Sequence, residues 1–367
     1  MLRFSYLKFP FLFNIPILSQ LAGLQRILVK TPTVFHPDTA VSGLFLDFNP
    51  PIFYSKPRPQ PFGAAHYFAD RFPGEPFIFL HPITMSLERP TYAFSLAVQY
   101  RRFRRAHPFS RLIVLANTEG EERLLRRLGI DVYLAPQNMF VDETMYHPVP
   151  GRKRTYDAIY NAMLAPMKRH DLARLVPSCS YVTKLFDHWP PELKRAQLTN
   201  FIRRLPRGHV VCNMITEGRI VPLDHIQVNE AMASAHVGLC LSKLEGAMYA
   251  SLEYLLAGLP VVSTRSKGGR DTFFHPDTTL IVDDNPRAVQ EGVAAMKARA
   301  LPVEFVRATT LQLMTAERER FNTFIDGLRG HQAIRTDPRW SFNYYPKLHK
   351  IASLSDFEGE LISYQSI

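Results

Sequence analysis

Glu245 and Glu253 stand with seven residues between them in the run LSKLEGAMYASLEYLLAGLPVVSTRSKGGRD, residues 241–271. Ser242 ends an apolar stretch, and Glu245, Gly246 and Ala247 lead into a segment with helical patterning. A glycine at 246 lets backbone approach a ligand with no Cβ in the way. The start of a helix offers unpaired N–H groups and the positive end of its dipole, which suits a phosphate. Glu253 lies on the helical segment about two turns beyond Glu245. Gly268 and Gly269 form a second small-residue loop after the apolar run PVVST, with Arg265 just before it. The chemistry these residue types share is binding of a phosphate ester. The plain alternative for each charged residue is a solvated surface charge, and for the glycines ordinary turn geometry.

Such residues work only if strands and helices present them together. PFIFLH (76–81), RLIVLAN (111–117) and DVYLAP (131–136) read as buried strands. Thr91–Arg105 reads as a helix from the spacing of Tyr92, Leu96 and Phe103. Thr118 caps a further helix, EGEERLLRRLG, with acids in its first turn and Gly129 as its stop. Strand–helix–strand alternation of this kind implies right-handed parallel units. A linker containing Pro148, Pro150 and Gly151 follows, over 137–154. A second series begins at 156–162, with strands at 209–214, 237–242, 260–264 and 279–284. Its helices fall at 247–257, stopped by Gly258, at 285–300 with Asn285 as N-cap, and at 302–328. In open α/β sheets ligands bind beyond the carboxyl ends of the strands, where the two glycine loops fall. Residues 1–75 hold Pro50, Pro51, Pro57, Pro59, Pro61 and Pro73 and read as irregular, since proline denies ladder hydrogen bonds.

The frame S-x-x-E-G-x6-E-x4-G-x-P-V-V-x-T, followed by Gly268-Gly269, resembles the donor-site signature of retaining glycosyltransferases of the GT-B fold, of the family-four type (glycosyl transferases group 1). YDAIYNAMLAPMKRHDLA (156–173) is similar to the family's first donor-domain strand and loop, G-R-L-x3-K. Leu164 and Lys168 match it, and the family's arginine falls on Met163. The stretch 116–150 resembles the family's interdomain segment, with Asn138 and Asp142 where an asparagine and an aspartate are usual. The likeness covers roughly residues 110–320.

The resemblance implies two Rossmann-like α/β domains facing each other across a cleft, the first shortened. The expected boundaries are 1–150 for the acceptor-side domain, 151–330 for the donor domain, and 331–367 for a tail packing back on the first. It implies a hexosyltransferase-like reaction, in which a nucleotide diphosphate sugar gives its sugar to an acceptor hydroxyl with retention. Lys168 would steady the departing diphosphate. Glu245 would lie near the donor sugar, and Glu253 would bond the ribose. Gly246, Ala247, Gly268 and Gly269 would bring backbone amides to the ligand. Arg169 or Arg265 would supply the charge missing at Met163. His81, which ends a buried strand, stands where the family's acceptor-domain histidines occur, as an acid/base near neutral pH or as a structural histidine. No D-x-D motif is present, so no metal is expected, and no cofactor beyond the donor substrate. Two rivals remain: a sugar-nucleotide epimerase of the same fold, and a catalytically silent sugar-nucleotide or glycan-binding protein. Met163 and the shortened first domain favour the silent protein; Lys168, Glu245 and Glu253 favour the transferase.

The chain has 367 residues, enough for two cores, and 46% hydrophobic residues, far from disorder. A net charge of +11 suits nucleic acid, an anionic membrane surface or a phosphate-bearing substrate. Basic clusters occur at 101–105, 123–127 and 151–154, but no nucleic-acid-binding motif accompanies them. The expected partners are therefore a nucleotide sugar and a glycan or lipid-linked acceptor, with peripheral membrane contact and no nucleic acid. Cys179, Cys212 and Cys240 are odd in number and far apart, which fits a reducing cytoplasm, peripheral to the inner membrane face. The apolar N-terminus, MLRFSYLKFPFLFNIPILSQLAGL, is broken by Lys8, Pro10 and Pro16 and reads as a buried first strand and loop, or as a surface anchor.

Overall fold

The computed structural model describes residues 41–48, 50–56, 62–83, 86, 87, 90–187, 189–329, 350, 351 and 359. The expectation for the N-terminal 24 residues lies outside these. The chain divides into two compact units. Of the described residues, those up to Ala135 with 325–329, 350, 351 and 359 belong to the first, and Pro136–Phe324 to the second; the expectation for the tail 331–367 lies largely outside the described residues.

In the first unit, β1 (Val41–Phe48) pairs antiparallel with β2 (Pro51–Lys56). β3 (Ile78–Pro82), β4 (Arg111–Ala116) and β5 (Val132–Leu134) then join β2 in chain order, all parallel. A short strand near the chain end, Lys350–Ile351, adds antiparallel beside β1. The helices are α1 (Gly63–Arg71), α2 (Pro90–Ala106) and α3 (Glu119–Arg127). The expectation of irregular structure through residue 75 is corrected at 41–56 and 63–71. Pro50 sits at the hairpin turn and Pro51 opens β2, positions where the ladder does not depend on their nitrogens. The core is built on phenylalanines: Phe53, Phe68, Phe77, Phe79 and Phe103 are buried together, each worth roughly 1.5–3 kcal/mol on burial. α3 starts as its sequence requires, with the Thr118 hydroxyl accepting from the Glu121 amide at 3.1 Å. The buried Glu121 carboxylate accepts in turn from the amides of Asn117 and Leu87, both at 2.9 Å, and ties the loops beyond β3 and β4 together.

The second unit is a six-stranded, wholly parallel sheet of β6 (Tyr156–Asn161), β7 (Cys179–Val182), β8 (His209–Val211), β11 (Ala235–Cys240), β12 (Val261–Thr264) and β13 (Thr279–Val282). A two-stranded hairpin, β9 (Ile215–Thr216) and β10 (Arg219–Ile220), stands apart from it. The sheet order is β13-β12-β11-β6-β7-β8. The chain therefore enters at the centre on β6, builds outward through β7 and β8, and returns to lay β11 against the other side of β6. This reversal is a topological switch point, and the carboxyl ends of β6 and β11 flank it.

Helices α4 (Pro191–Arg203), α5 (His225–Ala233) and α6 (Tyr249–Leu256) lie between these strands, and α7 (Pro286–Ala298) and α8 (Val303–Arg329) follow β13. Asn285 caps α7 through its side chain, as expected. Gly258 ends α6 at φ +78°, and a Cβ there would meet Val303 Cβ at 2.7 Å. Gly238 on β11 lets the Tyr254 ring lie close against the strand, where a Cβ would sit 2.4 Å from it. Segment 136–150 belongs to this unit. Phe140 packs edge-on against Phe321 at 5.4 Å, and Arg318 of α8 donates to Met139 O and Val141 O while pairing with Glu143 at 2.8 Å. The crossover from β6 to β7 carries two single-turn 3-10 helices, Pro166–Lys168 and His170–Ala173, in place of an α-helix.

Candidate functional site

The switch point brings Lys168, Arg169, Glu245 and the two glycine loops together, while His81 lies in the first unit. β6 leads into the Pro166–Lys168 turn, whose geometry is fixed by Tyr160 Oη donating to Lys168 O at 2.5 Å. Arg169 follows in the left-handed region at φ 52°, which reverses the chain. Across the switch point, the loop after β11 carries Glu245, and Lys168 Nζ forms an ion pair with Glu245 Oε1. Both side chains are largely enclosed, at 16% and 11% exposure, so the pair is shielded from full solvent screening. The two glycine loops are joined as a unit: Glu245 N donates to Lys267 O at 3.0 Å, and Gly269 N to Gly246 O at 2.7 Å. The Gly269 amide, expected to face a ligand, is thereby used between the loops. Gly268 holds φ 93°, a conformation that favours glycine. Beyond Gly246 and Ala247, α6 begins at Met248 with no side-chain cap, whereas α3, α5 and α7 are capped by Thr118, Asp224 and Asn285. Its first-turn amides are the groups that suit an anion.

Two arginines hold this end of the sheet. Arg270 is fully buried and is not among the residues to which the sequence points. It donates to Cys240 O at 3.1 Å, Ser242 O at 2.5 Å, Ser263 Oγ at 2.8 Å and Thr264 O, and pairs with Asp271 at 2.7 Å. It thus pins the carboxyl ends of β11 and β12, and hence both loops. Its own carbonyl accepts from Ser251 Oγ at 2.9 Å, which fixes the start of α6. Arg169, expected on the donor, is engaged as a second staple: it donates to Leu241 O at 2.6 Å and Thr264 Oγ1 at 2.8 Å, and pairs with Asp284 at 2.8 Å. Arg265 is exposed, and Met163 half-buried.

Glu253 lies on α6 facing the end of β6, not on an open helix surface. Asn161 Nδ2 donates to its Oε2 at 3.3 Å, and Tyr146 also hydrogen-bonds it. Burial pushes its carboxyl up to about 7, against the opposing pull of Tyr146, Lys184 and Asn161. Tyr146 is brought there by a segment that α8 holds: Arg307 donates to Tyr146 O and Leu256 O, each at 2.7 Å, and to Glu143 O at 2.9 Å. Asn138 Nδ2 reaches Met248 O at 3.3 Å, and Asp142 accepts from the Thr144 amide at 2.9 Å, so both act within the scaffold.

His81 belongs to the first unit, on β3, with its ring edge-on to Phe62 at 4.8 Å. Desolvation pulls its imidazole down to about 4, which keeps it neutral and makes it a weak base at physiological pH. Among the described residues there is no group of three or more His, Cys, Asp or Glu placed to hold a metal, and no helix long and apolar enough to cross a membrane.

No family model matches the chain. No curated protein matches its sequence. Solved structures do match. A sucrose-phosphate synthase from Thermosynechococcus elongatus superposes with a TM-score of 0.54 at 15% identity, over 72% of this chain and 71% of that one. The Anabaena protein HepE in complex with UDP gives 0.51 at 11% identity, over 72% and 75%. A glycosyltransferase from Rickettsia africae gives 0.50 at 13% identity, over 76% and 77%. The shared property at these identities is the fold, two Rossmann-like α/β units of the GT-B type.

Proposed function

We propose that the protein is a glycosyltransferase that binds a nucleotide diphosphate sugar at the β6/β11 switch point and passes the sugar to an acceptor hydroxyl. The observation that carries this reading is the enclosed Lys168–Glu245 pair, held beside the uncapped start of α6. In the reaction, the bond from the sugar's anomeric carbon to the diphosphate breaks and negative charge builds on the leaving oxygen. Lys168 and the α6 amides would stabilise that charge. Of the two arginines that could stand in for the one replaced by Met163, Arg265 is the better candidate, since Arg169 is engaged in the scaffold. Glu253, with Asn161 beside it, would accept the ribose hydroxyls. Retention of configuration and independence of a metal belong to the proposal and rest on the resemblance of the Glu245–Glu253 frame. HepE, a structural neighbour, is seen with UDP, which makes a uridine donor the first to try.

The acceptor is proposed to be a glycan or a lipid-linked anion. The exposed arginines of α2, Arg101, Arg102, Arg104 and Arg105, suit an anionic surface. The experiment is release of nucleoside diphosphate from sugar donors, with and without acceptors, by wild type and Lys168→Ala. Turnover that Lys168→Ala abolishes supports the transferase. Nucleotide binding without turnover for any donor favours the silent binding protein, for which Met163 is the specific motive.

A further inference from the structure

The pairing of β6 with β7 continues past the ends of the two strands. Its register sets Asn161 opposite Val182. Ala162 N then donates to Val182 O at 3.0 Å and Leu164 N to Lys184 O at 2.8 Å, so the same register sets Met163 opposite Lys184. Side chains alternate across a strand, so Asn161 and Met163 share a face with Val182 and Lys184. That face is the one α6 covers. Asn161 Nδ2 donates to Glu253 of α6 at 3.3 Å. On β11, Gly238 pairs with Ile159 and makes room for the Tyr254 ring on the same side.

The backbone that carries Lys184 is held on both sides. Thr183 Oγ1 donates to Ala162 O at 2.8 Å, and Thr183 N donates to Asn213 Oδ1, beyond β8, at 2.7 Å. The Lys184 side chain is exposed and forms no ion pair with a described residue. Burial raises the Glu253 carboxyl, and Lys184 is the cation that acts against it, so its ammonium lies within electrostatic reach of Glu253. The other cations at this end of the sheet are engaged or stand elsewhere. Lys168 pairs with Glu245, and Arg169 and Arg270 bind carbonyls and carboxylates. Lys243, Arg265 and Lys267 follow β11 and β12, on the opposite side of β6 from β7. A diphosphate carries more negative charge than Lys168, already paired, can balance.

We propose that Lys184 is a donor-binding residue whose ammonium meets the phosphate next to the ribose, while Lys168 meets the phosphate that carries the sugar. The inference rests on the donor-site reading, in which Glu253 accepts the ribose hydroxyls. With Glu253 on the ribose, the ammonium beside it falls on the first phosphate, and Lys168, beside Glu245, falls on the second. Paired strands lie about 4.8 Å apart, less than the length of a lysine side chain. A cation at 163 and a cation at 184 can therefore reach the same phosphate.

The probes are UDP, GDP, ADP and TDP, each with its monophosphate, titrated by calorimetry into the full chain. The titrations are run at about pH 9, where Glu253 is ionised with or without Lys184 beside it. Lys184→Met keeps the apolar stem and removes the charge at an exposed position. It should weaken the diphosphate that binds wild type and its monophosphate alike, by about tenfold, the loss of one charge-assisted phosphate contact. Met163→Arg, added to Lys184→Met, returns a cation to the same face one strand away and should recover most of that affinity. A lysine that served only the fold, or only the ionisation of Glu253, would not be replaced in this way. Unchanged affinity in Lys184→Met, a loss confined to the diphosphate, or no recovery with Met163→Arg would each overturn the assignment. Failure of the donor-site reading is told apart from these, because no diphosphate then binds wild type, and the assignment falls with it.

Discussion

Glu253→Gln separates the stability of the proposed donor site from its function. Burial holds the Glu253 carboxyl at about 7, against an ordinary 4.5. The folded state therefore keeps a proton that the unfolded state gives up, and stability falls as pH rises from 4.5 to about 7, then levels off. Above that window the ionised carboxylate costs the free protein about 3 kcal/mol, since each tenfold change in proton affinity is worth about 1.4 kcal/mol. Glutamine removes the charge and keeps an oxygen for Asn161 Nδ2 and Tyr146, but its amide must itself be buried. The net gain expected is about 1–2 kcal/mol at about pH 8, vanishing near pH 5 where wild type is already neutral. Urea unfolding of both proteins at these two pH values measures it, and effects of the histidines cancel in the difference. UDP should bind the variant more weakly by roughly 1–3 kcal/mol, because an amide replaces a charged acceptor. UDP affinity of wild type should also fall as pH drops through about 7, where the carboxylate is neutralised. A stability difference independent of pH, or a variant less stable at about pH 8, would refute the placement of a desolvated carboxylate at this position.

Other expectations follow from the same geometry. Glu245→Gln releases Lys168 from its ion pair, so nucleoside diphosphates should bind more tightly by calorimetry while sugar transfer slows. Arg270→Met should destabilise the protein by about 3–5 kcal/mol in urea unfolding, because it leaves Asp271 and four oxygen acceptors at the ends of β11 and β12 without their cation. His66, His81 and His170 are each drawn down to about 4, chiefly by burial. With respect to these rings the unfolded chain binds more protons between about pH 6.5 and pH 4, so the stability the three contribute is full above that window and is lost as pH falls through it, against the opposite contribution of Glu253. An unfolding free energy that stays flat over this range would contradict the burial of these rings, and His170→Phe should reduce the slope.

The parts of the chain legible in the sequence are those where apolar pattern and punctuation agree. β4 is a solid apolar run, α3 opens on Thr118 with acids in its first turn, and Asn285 and Gly258 bound helices where their backbone chemistry places them. The hairpin β1–β2 is hidden because proline marks loops locally, while Pro50 and Pro51 here occupy the turn itself. β7, α4 and α5 lack a clear apolar stripe; α4 buries only Leu198. Lys168 and Glu245, which the resemblance singles out, are brought together as an ion pair across the switch point. Arg270 and Arg307 are not legible, since their partners are backbone carbonyls from distant strands and loops, and a carbonyl has no signature in sequence. Arg169 looks like a ligand cation for the same reason: only its three partners reveal it as scaffold.

The central claim is that a nucleoside diphosphate binds where β6 and β11 diverge, with Lys168 on its phosphates. Calorimetric titration of UDP, GDP, ADP and TDP into wild type and Lys168→Ala tests it most directly. At least one of the four should bind wild type at millimolar concentration or below, and Lys168→Ala should lose about 1.5–3 kcal/mol of that affinity, the contribution of a charge-assisted phosphate contact. No binding of any nucleotide, or equal affinity for a folded Lys168→Ala protein, would contradict the account.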